Sequence, residues 1–237
     1  MRQTVVICLA AVAAVAAVLP ARAQQRSWLP IEPGLTWTYR GHVRWTGSDQ
    51  RVHGDSIKWT MKIVAVRTGP NARAALVRGW VQSLAWHEPS KKPAYSALIE
   101  RGGHLFHVAA QDSASAATLL ESAVRTGAPP PASSDLVLDS TLAVGRVYGR
   151  DSVTSKRDDS IYGWRVASER AISAPASWNA GAARVQRMTL EYRSLPDHQS
   201  IDVVRGVGIT RFVYSHHGTV AETDVRLVSV TRTVARD

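Results

Sequence analysis

The sequence predicts a mainly β protein: a single antiparallel, strongly curved sheet, forming an incomplete barrel or a sandwich, with one short helix. Three observations carry this. Apolar residues alternate with polar ones over most of the chain, the period of a strand with one dry and one wet face. Turn residues punctuate those stretches at roughly ten-residue spacing, as in all-β folds. Only one segment has helical spacing.

The first predicted strand runs from Thr36 to Thr46, with Trp37, Tyr39, Gly41, Val43 and Trp45 on one side and Thr36, Thr38, Arg40, His42, Arg44 and Thr46 on the other. Gly47-Ser48-Asp49 and His53-Gly54-Asp55 then interrupt the chain. Ile57, Trp59, Met61 and Ile63 line the inner face of a second strand, whose short connection to the first makes the two antiparallel neighbours. After the Gly69-Pro70-Asn71 turn, Ala75 to His87 reads as one long strand with Leu76, Trp80, Leu84 and Trp86 on one face. Ala94–Glu100 and His104–Ala109 form a hairpin around Arg101-Gly102-Gly103, because Gly-Gly supplies the positive φ of a tight turn.

From Ala114 to Arg125, Ala116, Leu119, Leu120 and Val124 recur at helical spacing. Asp112 or Ser113 starts this helix and Gly127 ends it. The Pro-rich stretch 128–135 is a loop between two halves of one domain, residues 24–237. Strands resume at Leu136–Leu138 and Arg146–Gly149, with a polar loop over 151–159. Further strands follow at Tyr162–Ile172, Ala183–Leu195 and Ile201–Val204. Thr210–Ser215 and Thr219–Val234 close the chain as a hairpin around His216-His217-Gly218.

Residues 1–23 read as a secretory signal peptide. Arg2 precedes the apolar run Val5–Leu19, Pro20 ends it, and Ala21-Arg22-Ala23 is a small-x-small cleavage site. The run is shorter than the ~20 residues of a spanning helix. Cleavage would remove Cys8, the single cysteine, so no disulfide framework and no cysteine-based zinc site is expected. The expected location is the periplasm or the exterior. Net charge is +10, carried mostly by Arg that is dispersed rather than clustered. Dispersed Arg keeps strand faces soluble, and a basic surface would favour an anionic envelope component such as acidic lipid head groups or acidic glycans. No nucleic-acid partner is expected.

Two phrases carry a resemblance. Trp28-Leu29-Pro30-Ile31-Glu32-Pro33-Gly34-Leu35-Thr36-Trp37-Thr38-Tyr39 resembles the "P-L-x-x-G-x-x-W-x-Y" opening of exported bacterial β-rich proteins of unassigned activity. Gly206-Val207-Gly208-Ile209-Thr210-Arg211-Phe212 resembles their closing "G-V-G" strand. The resemblance covers about a third of the chain. It implies a β-rich envelope or secreted protein, an incomplete barrel like the carriers of lipoproteins, and it brings no catalytic residues.

Motifs for chemistry are sparse. Gly54-Asp55-Ser56-Ile57 looks like a Gly-Asp-Ser nucleophile block, but no His has Asp three positions before it. His104 and His107 diverge on a strand, and His216-His217 diverge in a turn, so neither pair forms a metal site alone. No cofactor, metal or catalytic residue is assigned. The compositional anomaly is eight Trp against two Phe. These aromatics fill a core, line an apolar cavity or stack on sugar rings. The expectation is a non-catalytic exported protein that binds a lipid or other apolar or amphiphilic small molecule. Strand phase names Trp37, Tyr39, Trp59, Trp80 and Leu120 as its cavity lining, with the helix as a lid. The alternatives are an envelope interaction protein that binds acidic polymers, and a hydrolase whose site assembles only in space.

Overall fold

The computed structural model describes residues 27–125, 135–149 and 154–233. The leader at 1–23 and nearly all of the Pro-rich loop lie outside these. The described strands form one antiparallel sheet: β1 (Leu35–Thr46), β2 (Val52–Thr68), β3 (Arg73–Arg78), β4 (Tyr95–Arg101), β5 (His104–Ala109), β6 (Asp135–Leu138), β7 (Val147–Gly149), β8 (Gly163–Ser173), β9 (Arg184–Arg193), β10 (Asp197–Val204), β11 (Gly208–His216) and β12 (Ala221–Arg232). Their order is β6-β5-β4-β3-β2-β1-β12-β11-β10-β9-β8-β7. The sheet is therefore a meander whose first and last strands pair, and its edges are β6 and β7. Strands before and after the Pro-rich loop belong to the same sheet.

The alternation in β1 is obeyed. Trp37 and Tyr39 are fully buried inside, while Arg40, His42 and Arg44 are exposed outside. Across the ladder Trp37 faces Met61 and Tyr39 faces Trp59. Lys58 and Lys62 lie on the wet side of β2. Register shifts at Thr38/Tyr39, Ile63/Ala65, Val166/Ser168 and Asp202/Val203 mark bulges that raise local twist and curl the sheet. Gly102 (φ 57°) and Gly103 (φ 81°) make the β4–β5 turn as anticipated.

The opening and closing phrases of the sequence meet inside the curl. Trp37 Nε1 donates to Val207 O at 2.6 Å, and Tyr39 Oη donates to Ile209 O at 2.9 Å. The Gly206 amide donates to Ser27 O. Gly208 has a φ of 101°, and a Cβ there would stand 2.4 Å from Leu29 Cδ1. That position needs glycine both for its backbone and for the leucine pressed against it. Leu29 and Ile31, buried in the interior, stopper this end of the curl.

Two expectations are corrected. The long strand over Ala75–His87 ends at Arg78, where Gly79 takes a φ of 77°. The chain then turns inward through a 3-10 turn, Val81–Leu84, and buries Trp80, Val81 and Leu84 in the interior. Apolar spacing over so short a run cannot separate a strand from a buried turn. The helix α1 (Ser113–Arg125) forms as expected, with the Ser115 amide donating to Asp112 Oδ1 at 2.7 Å. It is no lid over the interior, however. Ala116 and Leu120 pack with Ala72, Ala74, Leu76, Ala97, Ile99 and Val108 on the outer face of β3 and β4, a cluster separate from the main core. Covered on both faces, β3 and β4 read as nearly continuous apolar runs.

Candidate functional site

One wall of the curl carries a row set by register. Tyr148 on β7 pairs with Trp164 on β8, Trp164 with Tyr192 on β9, Tyr192 with Gln199 on β10, and Gln199 with Tyr214 on β11. Paired residues point to the same side of a sheet, so the row faces inward together. The rings of Trp164 and Tyr192 lie 5.4 Å apart. The opposite wall comes from β5, β6 and the inward turn. Leu105 belongs to the interior core, so His107, two residues on, shares its face. Trp80 stacks on the His107 ring at 5.3 Å. Gln82 Nε2 reaches across to Gln199 Oε1 at 3.3 Å and joins the two walls.

Between these walls is an open cavity of about 1120 Å³. Trp80, Leu136, Val137, Trp164 and Tyr192 give it an apolar body, with His107, Gln82, Gln199 and Asp197 as polar points. Lys156, Arg157 and Asp135, all exposed, also line it. Arg157 also donates to Asp159 at 2.9 Å and lies over the Tyr162 ring.

Electrostatics distinguish two points of the cavity. Burial pushes the His107 imidazole down to about 4, so it is neutral at pH 7. Its Nε2 is cut off from solvent and has no hydrogen-bond partner. Asp197 accepts from Tyr214 Oη at 2.6 Å and from Ser194 Oγ at 3.2 Å, with His216 Nδ1 at 3.1 Å. Burial by itself raises the Asp197 carboxyl, but these bonds outweigh it and hold the group below the usual range. Burial and the bond to Asp197 push the Tyr214 phenol up. The serine is bonded to the carboxylate rather than to the imidazole, so the trio ties the β9–β10 turn to β11 rather than activating a hydroxyl. Among the described residues no three His, Cys, Asp or Glu side chains gather as a metal site would require.

The sequence-named lining residues divide three ways. Trp80 lines the cavity. Trp37, Tyr39 and Trp59 are buried in the packed core, each with its polar tip on a carbonyl; Trp59 Nε1 donates to Gly79 O at 2.8 Å. Leu120 lies under the helix on the outer face. Sequence reasoning missed His107, Tyr192 and Gln199. Strand phase carried the signal for His107, through its two-residue spacing from Leu105.

No protein-family model and no curated protein matches the chain. Two solved structures are similar to it. One is a Bacteroides fragilis protein assigned to the exported class with a YmcC-like fold, with a TM-score of 0.44, 7% identity, and cover of 87% of this chain and 100% of the other. The second is a Parabacteroides distasonis protein assigned as a lipoprotein, with a TM-score of 0.42, 13% identity, and cover of 87% and 99%.

Proposed function

We propose that the protein is an exported binding protein that holds an amphiphilic small molecule in the cavity between β5–β6 and β8–β10. The observation that carries this is an open space of about 1120 Å³ with an apolar body, lined also by the exposed cations Lys156 and Arg157 and by the exposed carboxylate Asp135. Such a pocket is of the size that buries most of a small ligand, and its mixed apolar and polar lining suits an amphiphile. The apolar part of the ligand would lie between Trp80 and the Trp164–Tyr192 pair, and its polar group would meet Lys156 and Arg157. Export is supported by the leader-like residues 1–23.

The test is a fluorescence titration of purified protein with a bromine-labelled dodecanoic acid. Saturable quenching at one probe per chain is expected, because Trp80 and Trp164 line the site. Leu136→Arg should weaken it at least tenfold. A titration without saturable quenching would overturn the reading.

A further inference from the structure

We propose that the outer face of β2, β1, β12 and β11 binds a linear acidic polysaccharide through a row of cations that strand register assembles. The surface lies on the opposite side of the sheet from the cavity, so it stands or falls independently of the amphiphile reading.

The row follows from three pairings. Lys58 on β2 lies opposite Arg40 on β1, Arg40 opposite Arg226 on β12, and Arg226 opposite Arg211 on β11. Tyr39, the neighbour of Arg40, points inward and is fully buried, so the row points outward. Lys58, Arg40 and Arg226 are exposed, and Arg211 is half-buried. Neighbouring strands lie about 4.8 Å apart, so the charges fall along a line of roughly 14 Å. Four residues along β2, Lys62 stands opposite Arg78, and both are exposed.

Like charges directly opposite one another weaken a sheet. The acids on these outer faces, Glu222 and Asp224, do not relieve the row. Glu222 is taken by Arg44 at 2.8 Å, and Asp224 accepts from Arg211 at 2.7 and 3.0 Å. Arg226 comes no nearer to Asp224 than 4.0 Å. Among the described residues neither Arg40 nor Lys58 has an ion-pair partner. The outer face of β8 and β9 shows the alternative. Arg165 lies opposite Glu191, Arg193 is 3.8 Å from Glu191, and Arg187 is 3.5 Å from Asp202. Either arrangement keeps a strand face soluble. Edge protection does not account for the row, because β1 and β12 are central in the sheet and its edges are β6 and β7. Self-repelling cations at the middle of the sheet are matched to an anion that arrives from outside.

The shape and chemistry of the face narrow the partner. The row is a line across the convex side of a curled sheet, so it fits a chain with regularly spaced charges better than a flat bilayer. Faces that enter membranes or bind single-stranded nucleic acid add aromatic side chains. Trp86, the exposed aromatic among the large apolar side chains, packs against His216 and Tyr214 rather than beside the row. A polymer of carboxylates needs no aromatic, because a guanidinium takes a carboxylate in a two-pronged hydrogen bond. Export, supported by the leader-like residues 1–23, would put this face among envelope glycans.

The test is fluorescence anisotropy of the purified protein with a fluorescein-labelled oligogalacturonate. Saturable binding is expected, weakening about tenfold or more as salt rises from about 0.05 M to about 0.5 M. Arg40→Gln combined with Arg226→Gln should weaken it about tenfold. Arg165→Gln combined with Arg193→Gln removes the same charge from the balanced face and should weaken it less than about twofold. Arg40→Glu gives a readout that needs no ligand. It turns two opposed like pairs into attractive ones, so the thermal midpoint should rise while oligogalacturonate binding is lost. Equal weakening by the two double variants would overturn the proposal, since net charge alone would then suffice. Absence of oligogalacturonate binding would overturn it, as would tighter binding to phosphatidylglycerol vesicles than to the oligogalacturonate. A midpoint that does not rise in Arg40→Glu would remove the repulsion on which the argument rests.

Discussion

The curled sheet meets itself in two places, and the two junctions are built differently. At the first, β1 and β12 join the start of the described chain to its end through a backbone ladder that runs from Leu35↔Arg232 to Trp45↔Ala221 with one bulge at Thr38/Tyr39. Its inner face is filled by Trp37 and Tyr39, whose polar tips are satisfied by Val207 and Ile209 carbonyls. At the second, β6 and β7 are close in sequence yet share no ladder. Side chains bridge them instead. Tyr148 Oη donates to Val137 O at 2.8 Å. The buried Asp139 carboxylate accepts from Arg146 Nε at 2.6 Å and from Ser140 Oγ, and His104 Nδ1 lies 3.1 Å away. Burial, the largest influence on Asp139, raises its carboxyl, yet the bonds from Arg146 and Ser140 hold it below the usual range. A ladder closes the wall and lets a dry core form behind it. A side-chain clasp holds the wall at points, and the cavity lies beside it.

The contrast can be broken first at the ladder. Trp37→Ala removes a fully buried ring and leaves Val207 O without its donor, so urea denaturation should show a loss of about 4 kcal/mol. A loss below about 1 kcal/mol would mean that this junction is not the stable one.

The next effect is on pH dependence beside the clasp. His107 titrates near 4 when folded, against about 6.5 for an exposed imidazole. Between those values the unfolded chain binds a proton that the folded chain refuses, so acid favours unfolding. Stability from this source is intact above pH 6.5, declines as pH falls and levels off below about 4. The full decline is about 3 kcal/mol. Asp135, Asp197, Lys156 and Arg157 share the cavity, so the measured quantity is the difference between the unmutated protein and His107→Phe across that window. Parallel curves would show that His107 takes up its proton freely.

The smallest of the three falls on the clasp itself. Arg146→Met strands the Asp139 carboxylate, but Arg146 is half-exposed, so the loss should be about 2 kcal/mol rather than the larger figure for a fully buried pair. Amide hydrogen exchange should quicken in β6 and β7 and stay unchanged in β1 and β12. Equal quickening in all four strands would erase the distinction between the junctions.

Much of the fold was legible because alternation depends on local sequence. The faces of β1 and β2, the Gly102-Gly103 turn and the Asp112-capped helix all follow from residues a few positions apart. The inward turn after Gly79 was not legible, since Trp80, Val81 and Leu84 suit a strand face or a buried turn equally well. The site was legible in fewer of its parts. Trp80 borders the cavity, whereas Trp37, Tyr39 and Trp59 satisfy the same strand-phase rule and lie in the packed core.

The sequence by itself determined which side chains face inward, because neighbouring residues of an extended chain must point to opposite sides. It did not determine which inward side chains meet one another. The row from Tyr148 to Tyr214 depends on the register of five strands spread over nearly seventy residues, and the stacking of His107 on Trp80 depends on a turn that folds back into the interior. Only the tertiary structure decided where the interior is packed and where it stays open, because filling that space is a property of the whole curl and not of any one strand.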